Sequence, residues 1–160
     1  RLSLVGSEMC IRDSFRSEHI SFYTRLLEGN YPDTDRLIPT EFNTEATFNV
    51  PNLRFAMERA RLLSNATQNG TVKLEFKNGV VSSHVHSPEV GRVNEEIDTS
   101  AVSGEDLSIS FNPTYLIEAL KAIDSEQVVI RFISSVRPFT LVPEGNEQGF
   151  IQLITPVRTN

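Results

Sequence analysis

The apolar and polar positions show little order over the first fourteen residues, "RLSLVGSEMCIRDS", which have neither a helical period nor strict alternation. From Phe15 the pattern becomes regular. "HISFYTRLLEG" (19–29) is rich in β-formers and stops at Gly29, which predicts a strand. "YPDTDRLIP" (31–39) carries Pro32 and Pro39, with Asp33 placed to cap one short helical turn. "EATFNV" predicts the next strand. Pro51 then opens a helix, "PNLRFAMERARLLS", at a point where its missing N–H costs nothing.

"TVKLEF" (71–76) alternates Val72, Leu74 and Phe76 with Thr71, Lys73 and Glu75, the period of a half-buried strand. Asn78-Gly79 leads into "VVSSHVH", the signal of a tight hairpin. "GRVNEEID" predicts a third strand. The plan then recurs: "LSISFN" as strand, "PTYLIEALKAI" as helix, and "QVVIRFIS", "RPFTLV" and "GFIQLIT" as three strands. "TFNVPNLRFAMERA" and "SISFNPTYLIEALKA" share a strand, Phe-Asn, a helix-opening proline and a helix, the prolines lying 113 − 51 = 62 residues apart. Residues 41–160 therefore read as two β-α-β-β-β units making one pseudo-two-fold α+β domain rather than a solenoid. Two helices cannot cover both faces of two sheets, so both are expected on one side.

The helical faces are uneven. Leu53, Ala56, Met57, Ala60 and Leu63 form the buried stripe of the first helix, with Arg54, Glu58 and Arg61 roughly opposite, as on a solvated face with local ion pairs. Phe55 and Leu62 lie seven residues apart on a line outside the stripe, either as scattered surface or as a docking patch. In the second helix Leu116, Ala119, Leu120 and Ile123 face inward, and Thr114, Glu118 and Lys121 outward.

Composition narrows the class. A hydrophobic content of 39% with 22% charged residues describes a globular chain, and no apolar run reaches the length of a membrane-spanning helix. The single Cys10 cannot form an internal disulfide, which fits a reducing compartment. A net charge of −6 argues against tight nucleic-acid binding over the whole surface. The leader 1–14 reads as translated adapter sequence, with a genuine linker as the alternative, and is left out of the fold. Chemistry is hard to find. His84 and His86 lie at i, i+2 on one strand face without further ligands at compatible spacing, and read as exposed strand histidines. Glu95, Glu96 and Asp98 read as a solvated acidic face. There is no nucleophile elbow and no phosphate loop.

Four segments, "RLLEGNYPDTDRLIPTEF", "FNPTYLIEALKAI", "VRPFTLVPEG" and "FIQLITPVRTN", resemble the bacterial sliding-clamp family, the β subunit of DNA polymerase III. The resemblance covers residues 15–160 and implies a DNA-clamp domain: 41–160 as the third clamp domain and 15–40 as the last strand and junction segment of the second. It implies a processivity factor without catalytic residues, metal or cofactor. In the full protein a homodimeric ring encircles duplex DNA in the cytoplasm, away from any membrane. It tethers polymerase, clamp loader and repair proteins through short linear motifs.

By the same resemblance, a peptide groove is implied at Pro32, Arg36, Leu37, Val136, Pro138, Leu153, Ile154, Thr155, Pro156, Val157 and Arg158. Arg54, Arg61 and Lys121 are implied to face DNA loosely, and Phe55, Leu62, Leu63 and Glu89 to face the partner subunit. The alternative, that 150–157 is a last core strand, holds for Phe150 and some alternating neighbours but weakens past Pro156, since proline cannot continue a central ladder. The rival readings are an enzyme built on the acidic strand or the histidine pair, and a β-rich interaction domain.

Overall fold

The computed structural model describes residues 3–5, 12–25, 37–64, 70–87, 91–145 and 149–158. The chain divides into two units, Arg1–Thr34 and Asp35–Asn160. The first holds β1 (Ser3–Val5), β2 (Arg12–Arg16) and β3 (Ser21–Arg25), paired antiparallel in that order. This corrects the reading of the leader as patternless: β1 and the start of β2 fall inside it. Strand pairing satisfies backbone N–H and C=O groups whatever the side chains do, so a strand can form without alternation. The strand expected over 19–29 is described only at Ser21–Arg25. Residues 26–36, with most of the expected short helical turn, lie outside the described residues.

The second unit runs β4 (Thr44–Asn49), α1 (Val50–Ser64), β5 (Val72–Lys77), β6 (Val80–Ser87), β7 (Gly91–Ile97), β8 (Ala101–Gly104), β9 (Leu107–Phe111), α2 (Pro113–Lys121), β10 (Gln127–Phe132), β11 (Phe139–Pro143) and β12 (Gln152–Ile154). Its sheets have the orders β12-β11-β10-β4-β8 and β7-β6-β5-β9, antiparallel throughout. The two repeats exchange their first strands. β4 of the first lies against β10 of the second, with Ala46 opposite Ile130, and β9 of the second lies against β5 of the first, with Ile109 opposite Leu74. Neither repeat completes its own sheet alone, which makes the pair one domain.

The repeated Phe-Asn has a physical reason. Phe48 and Phe111 are fully buried at the ends of β4 and β9. The next residue caps a helix: Asn49 Oδ1 accepts the Asn52 N–H at 3.1 Å, and Asn112 Oδ1 accepts the Thr114 N–H at 2.9 Å. The caps are 112 − 49 = 63 positions apart. The same step carries Leu53, Ala56, Met57 and Ala60 onto Leu116, Ala119, Leu120 and Ile123, all buried. The helices pack on each other to form one layer, with α1 against β4–β7 and α2 against β12.

Between the sheets runs a chain of rings. Phe76 and Phe132 have centroids 4.9 Å apart, Phe132 and Phe139 5.1 Å, and Phe139 and Phe111 5.2 Å. Each buried phenylalanine contributes about 1.5–3 kcal/mol of transfer free energy. Tilted pairs at these distances add about 0.5–1.5 kcal/mol each.

β8 is missing from the sequence reading. Of its four residues only Val102 packs against the core, partly buried, and the strand forms because β4 offers an unpaired edge. Its end is set by Gly104, whose φ of +100° brings its Cα side against the Asn43 carbonyl. The Glu105 N–H then donates to that carbonyl at 3.1 Å.

Candidate functional site

The chain's C-terminal segment leaves one sheet and reaches the other. In β12 Ile154 turns inward and is 3% exposed, so it is a core residue and gives only its backbone to the surface. Leu153, opposite Thr140, turns to the outer face and is half-buried. Thr155 is exposed and Pro156 half-buried. Lacking an N–H, Pro156 ends the pairing with β11. The Val157 N–H then donates to the Ser110 carbonyl on β9 at 2.7 Å, at the edge of the second sheet.

Beside this crossing lies a hollow of about 520 Å³ lined by Lys73, Ser108, Ser110, Val136, Val157 and Arg158. Val136, 55% exposed, projects from the β10–β11 connection, and Pro138 behind it is half-buried. The structure thus brings Val136, Val157 and Arg158 together around one opening. Leu37 is 55% exposed, and Pro32 and Arg36 lie outside the described residues. The lining mixes two valines with serine hydroxyls and two cations, a combination that can take both apolar and polar groups.

A second pair of surfaces repeats across the pseudo-two-fold. Between α1 and β7 is a hollow of about 270 Å³ lined by Asn52, Phe55, Ala56 and Arg59 with Glu95–Asp98. Between α2 and β12 is one of about 390 Å³ lined by Tyr115, Glu118, Ala119 and Ala122 with Gln152–Thr155. The four helix positions differ by the capping step, as in 115 − 52 = 63. β7 and β12 are both edge strands, so each hollow adjoins an unpaired row of backbone groups.

Phe55, which lines the first hollow, is 50% exposed; two turns further along α1 Leu62 is 71% exposed, while Leu63 packs partly into the core. Glu89 lies outside the described residues. Arg59, absent from the sequence reading, ties α1 to β7: its Nε donates to Glu95 Oε2 at 3.3 Å and its terminal nitrogen to Oε1. The hydrogen bond that Arg59 donates to Glu95, the largest cause, raises the Arg59 pKa above its ordinary value against an opposing desolvation. The partners are 36 residues apart, which hides the pair from helical-spacing arguments.

The helical cations are mostly held. Arg54 lies 3.8 Å from Glu58 and 5.3 Å from the Phe55 ring centroid, and Lys121 donates to Glu118 at 2.9 Å. Arg61 is half-buried near the end of α1. Such a face attracts phosphates weakly.

The histidines and acids also fall into place. His84 is half-buried, not exposed as expected: its Nδ1 meets Asn94 Oδ1 at 2.8 Å, and its Nε2 meets Ser82 Oγ at 2.9 Å and Glu75 Oε2 at 3.1 Å. Hydroxyl, imidazole and amide stand in line, but β6 is paired on both sides, which commits its N–H groups to the ladder rather than to an oxyanion. His86 is exposed. The run Glu95-Glu96 is split by the pleat. Glu95 faces the helices and Arg59, and Glu96 faces the other side, opposite Ser82. Among the described residues no group of three or more His, Cys, Asp or Glu could hold a metal ion, and no helix is long and apolar enough to cross a membrane.

Residues 35–158 match the family described as the DNA polymerase III beta subunit, C-terminal domain. The beta sliding clamp of Streptococcus pneumoniae serotype 4 (strain TIGR4) is 79% identical over 146 residues, covering 91% of this chain and 39% of the relative. That of Lactococcus lactis subsp. lactis (strain IL1403) is 55% identical over 157 residues, covering 97% and 40%. The crystal structure of the S. pneumoniae TIGR4 DNA polymerase III beta chain matches with a TM-score of 0.88 at 72% identity, covering 99% of this chain and 41% of that one. The Thermotoga maritima beta subunit matches with a TM-score of 0.87 at 26% identity, covering 99% and 42%. The chain thus spans about 40% of the length of the curated relatives it matches.

Proposed function

The chain belongs to the DNA polymerase III beta subunit family, whose C-terminal domain it contains, and from that premise we propose that it is the partner-binding end of a DNA sliding clamp. In the full-length protein, on this reading, a ring-shaped homodimer encircles duplex DNA in the cytoplasm and carries polymerase, clamp loader and repair proteins along it. The ring does no chemistry of its own. Residues 15–40 are the last strand and junction segment of the preceding domain.

The observation that carries the reading is the pair of equivalent open edges, β7 beside α1 and β12 beside α2. A domain that can add a neighbour at each of two related edges builds a head-to-tail series, and such a series closes into a ring when its rotation allows. The β12 edge is left for a second neighbour. The β7 edge, with Phe55, Leu62 and Leu63, serves the other subunit. Arg54, Arg61 and Lys121 then face the hole, where neutralised or weak cations let the ring slide while topology retains it.

On this reading the groove is the hollow beside the C-terminal crossing, and Leu37, Pro32 and Arg36 are assigned to it by the resemblance alone. Calorimetry on the full-length clamp with a peptide carrying one glutamine and two large apolar residues tests this. Removing Pro156–Asn160 takes one wall of the hollow and is expected to weaken the peptide by about 2 kcal/mol or more, roughly thirtyfold. Of backbone bonds among the described residues it costs the fold only that of Val157 to Ser110. Unchanged affinity in a folded truncated clamp overturns the groove assignment.

A further inference from the structure

The outward-facing residues of the four-stranded sheet form a row of unmatched positive charge that begins at the groove. Lys73 on β5 is opposite His84 on β6, which is opposite Asn94 on β7, and His86 is opposite Arg92. A trough of about 430 Å³ runs over these positions. It shares Lys73 and Ser110 with the hollow beside Val157, so the two form one continuous channel.

Four other cations sit beside carboxylates, Arg54 by Glu58, Arg59 by Glu95, Lys121 by Glu118 and Arg131 by Glu45, whereas Arg61, Lys77 and Arg137 have no ion pair among the described residues. Among the described residues no ion pair holds Lys73, Arg92 or Arg158, and all three are exposed. The nearest outward carboxylate, Glu75, is engaged by His84 at 3.1 Å, and Glu96 lies one row further along, opposite Ser82. In a chain of net charge −6 this is a local excess of the opposite sign.

We infer that the trough receives acidic residues flanking the linear motif of the bound partner, extending the peptide groove across the sheet. The inference rests on the groove reading above. The reach fits: β5 to β7 is two strand spacings, about 10 Å, which three or four extended residues span. Lys73 and Arg92 over that distance, with Arg158 in the adjoining hollow, suit a short acidic run and are too few for a long phosphate track.

The test uses full-length clamp and fluorescently labelled motif peptides extended by four aspartates or by four serines, at either end. One aspartate peptide is expected to bind about three- to tenfold tighter than its serine counterpart at about 0.05 M salt, with the gain fading near 0.5 M. Arg92→Glu, which leaves the hollow beside Val157 untouched, is expected to abolish the gain while the serine peptide binds as before. Arg92→Lys, which keeps the charge, should retain it. Arg92→Gln is the milder substitute if Arg92→Glu unfolds. An equal gain in the Glu and Gln variants, or no gain at either end, overturns the inference and leaves the groove standing. So does a single-stranded oligonucleotide bound through Arg92 more tightly than the aspartate peptide. Failure of the serine peptides to respond to removal of Pro156–Asn160 strikes the groove reading instead.

Discussion

Replacing Gly104 by alanine puts a methyl group where the backbone leaves no room. A Cβ there stands 1.9 Å from the Asn43 carbonyl oxygen and 2.8 Å from both the Asn43 carbonyl carbon and Thr44 Cα. These are backbone atoms, so no side chain can swing aside. Asn43 is fixed in turn: its N–H donates to the Phe132 carbonyl at 2.8 Å, and its side-chain amide to the Ile133 carbonyl at 3.1 Å. Relief must break the Glu105–Asn43 bond and lift β8 from β4. Overpacking costs about 1–3 kcal/mol and the positive φ about 1–2 kcal/mol more, giving about 3–4 kcal/mol. Gly79→Ala is the control. Its φ is +78°, but nothing lies within 4 Å of the added atom, so only the conformational cost of about 1 kcal/mol applies. Urea unfolding compares them. With a slope of about 1.5–2 kcal/mol per molar, the midpoint falls by about 2 M for Gly104→Ala and about 0.5 M for Gly79→Ala. Equal shifts would refute the argument from close approach.

Other consequences are simpler to state. Phe132→Ala opens a cavity between Phe76 and Phe139 and should cost about 3–5 kcal/mol, measurable by the same unfolding. In the full-length protein, Leu62→Ala with Leu63→Ala should open the dimer at about 2 kcal/mol per lost contact, and sedimentation of an intact double variant at low concentration contradicts the interface. The isolated chain should bind duplex DNA very weakly, with a salt slope of about −3 or shallower for three candidate contacts; tight binding near physiological salt contradicts a tether that relies on encirclement.

How much of this was legible in the residues varies with range. The repeat was visible because its marks are local: Phe48-Asn49 and Phe111-Asn112 sit beside Pro51 and Pro113, and helical spacing marked Leu53, Met57, Leu116 and Leu120 as core. β8 was not, since "AVSG" carries no alternation and pairs only because β4 has an edge to fill. Arg59–Glu95 and the His84 contacts join separate strands and helices, so spacing along one element could not find them. Pro156 announced the end of the ladder, but its meaning depends on Ser110, 46 positions earlier (156 − 110), accepting from the next residue. The rest of the groove came from the resemblance rather than from residue chemistry. Ile154 shows the limit of that route: implied as part of the groove, it lines the hollow between α2 and β12 instead, and its side chain belongs to the core.

The central claim is retention by topology, and one measurement addresses it directly. Full-length clamp carrying this sequence is loaded by its clamp loader onto a nicked circular plasmid, and bound clamp is followed by gel filtration at high salt before and after a single restriction cut. Clamp should persist on the circle and leave once the DNA is linear, because the weak contacts proposed for helical cations such as Arg54 and Lys121, each already beside a carboxylate, cannot hold it without closure. Equal retention on circular and linear DNA would contradict the account.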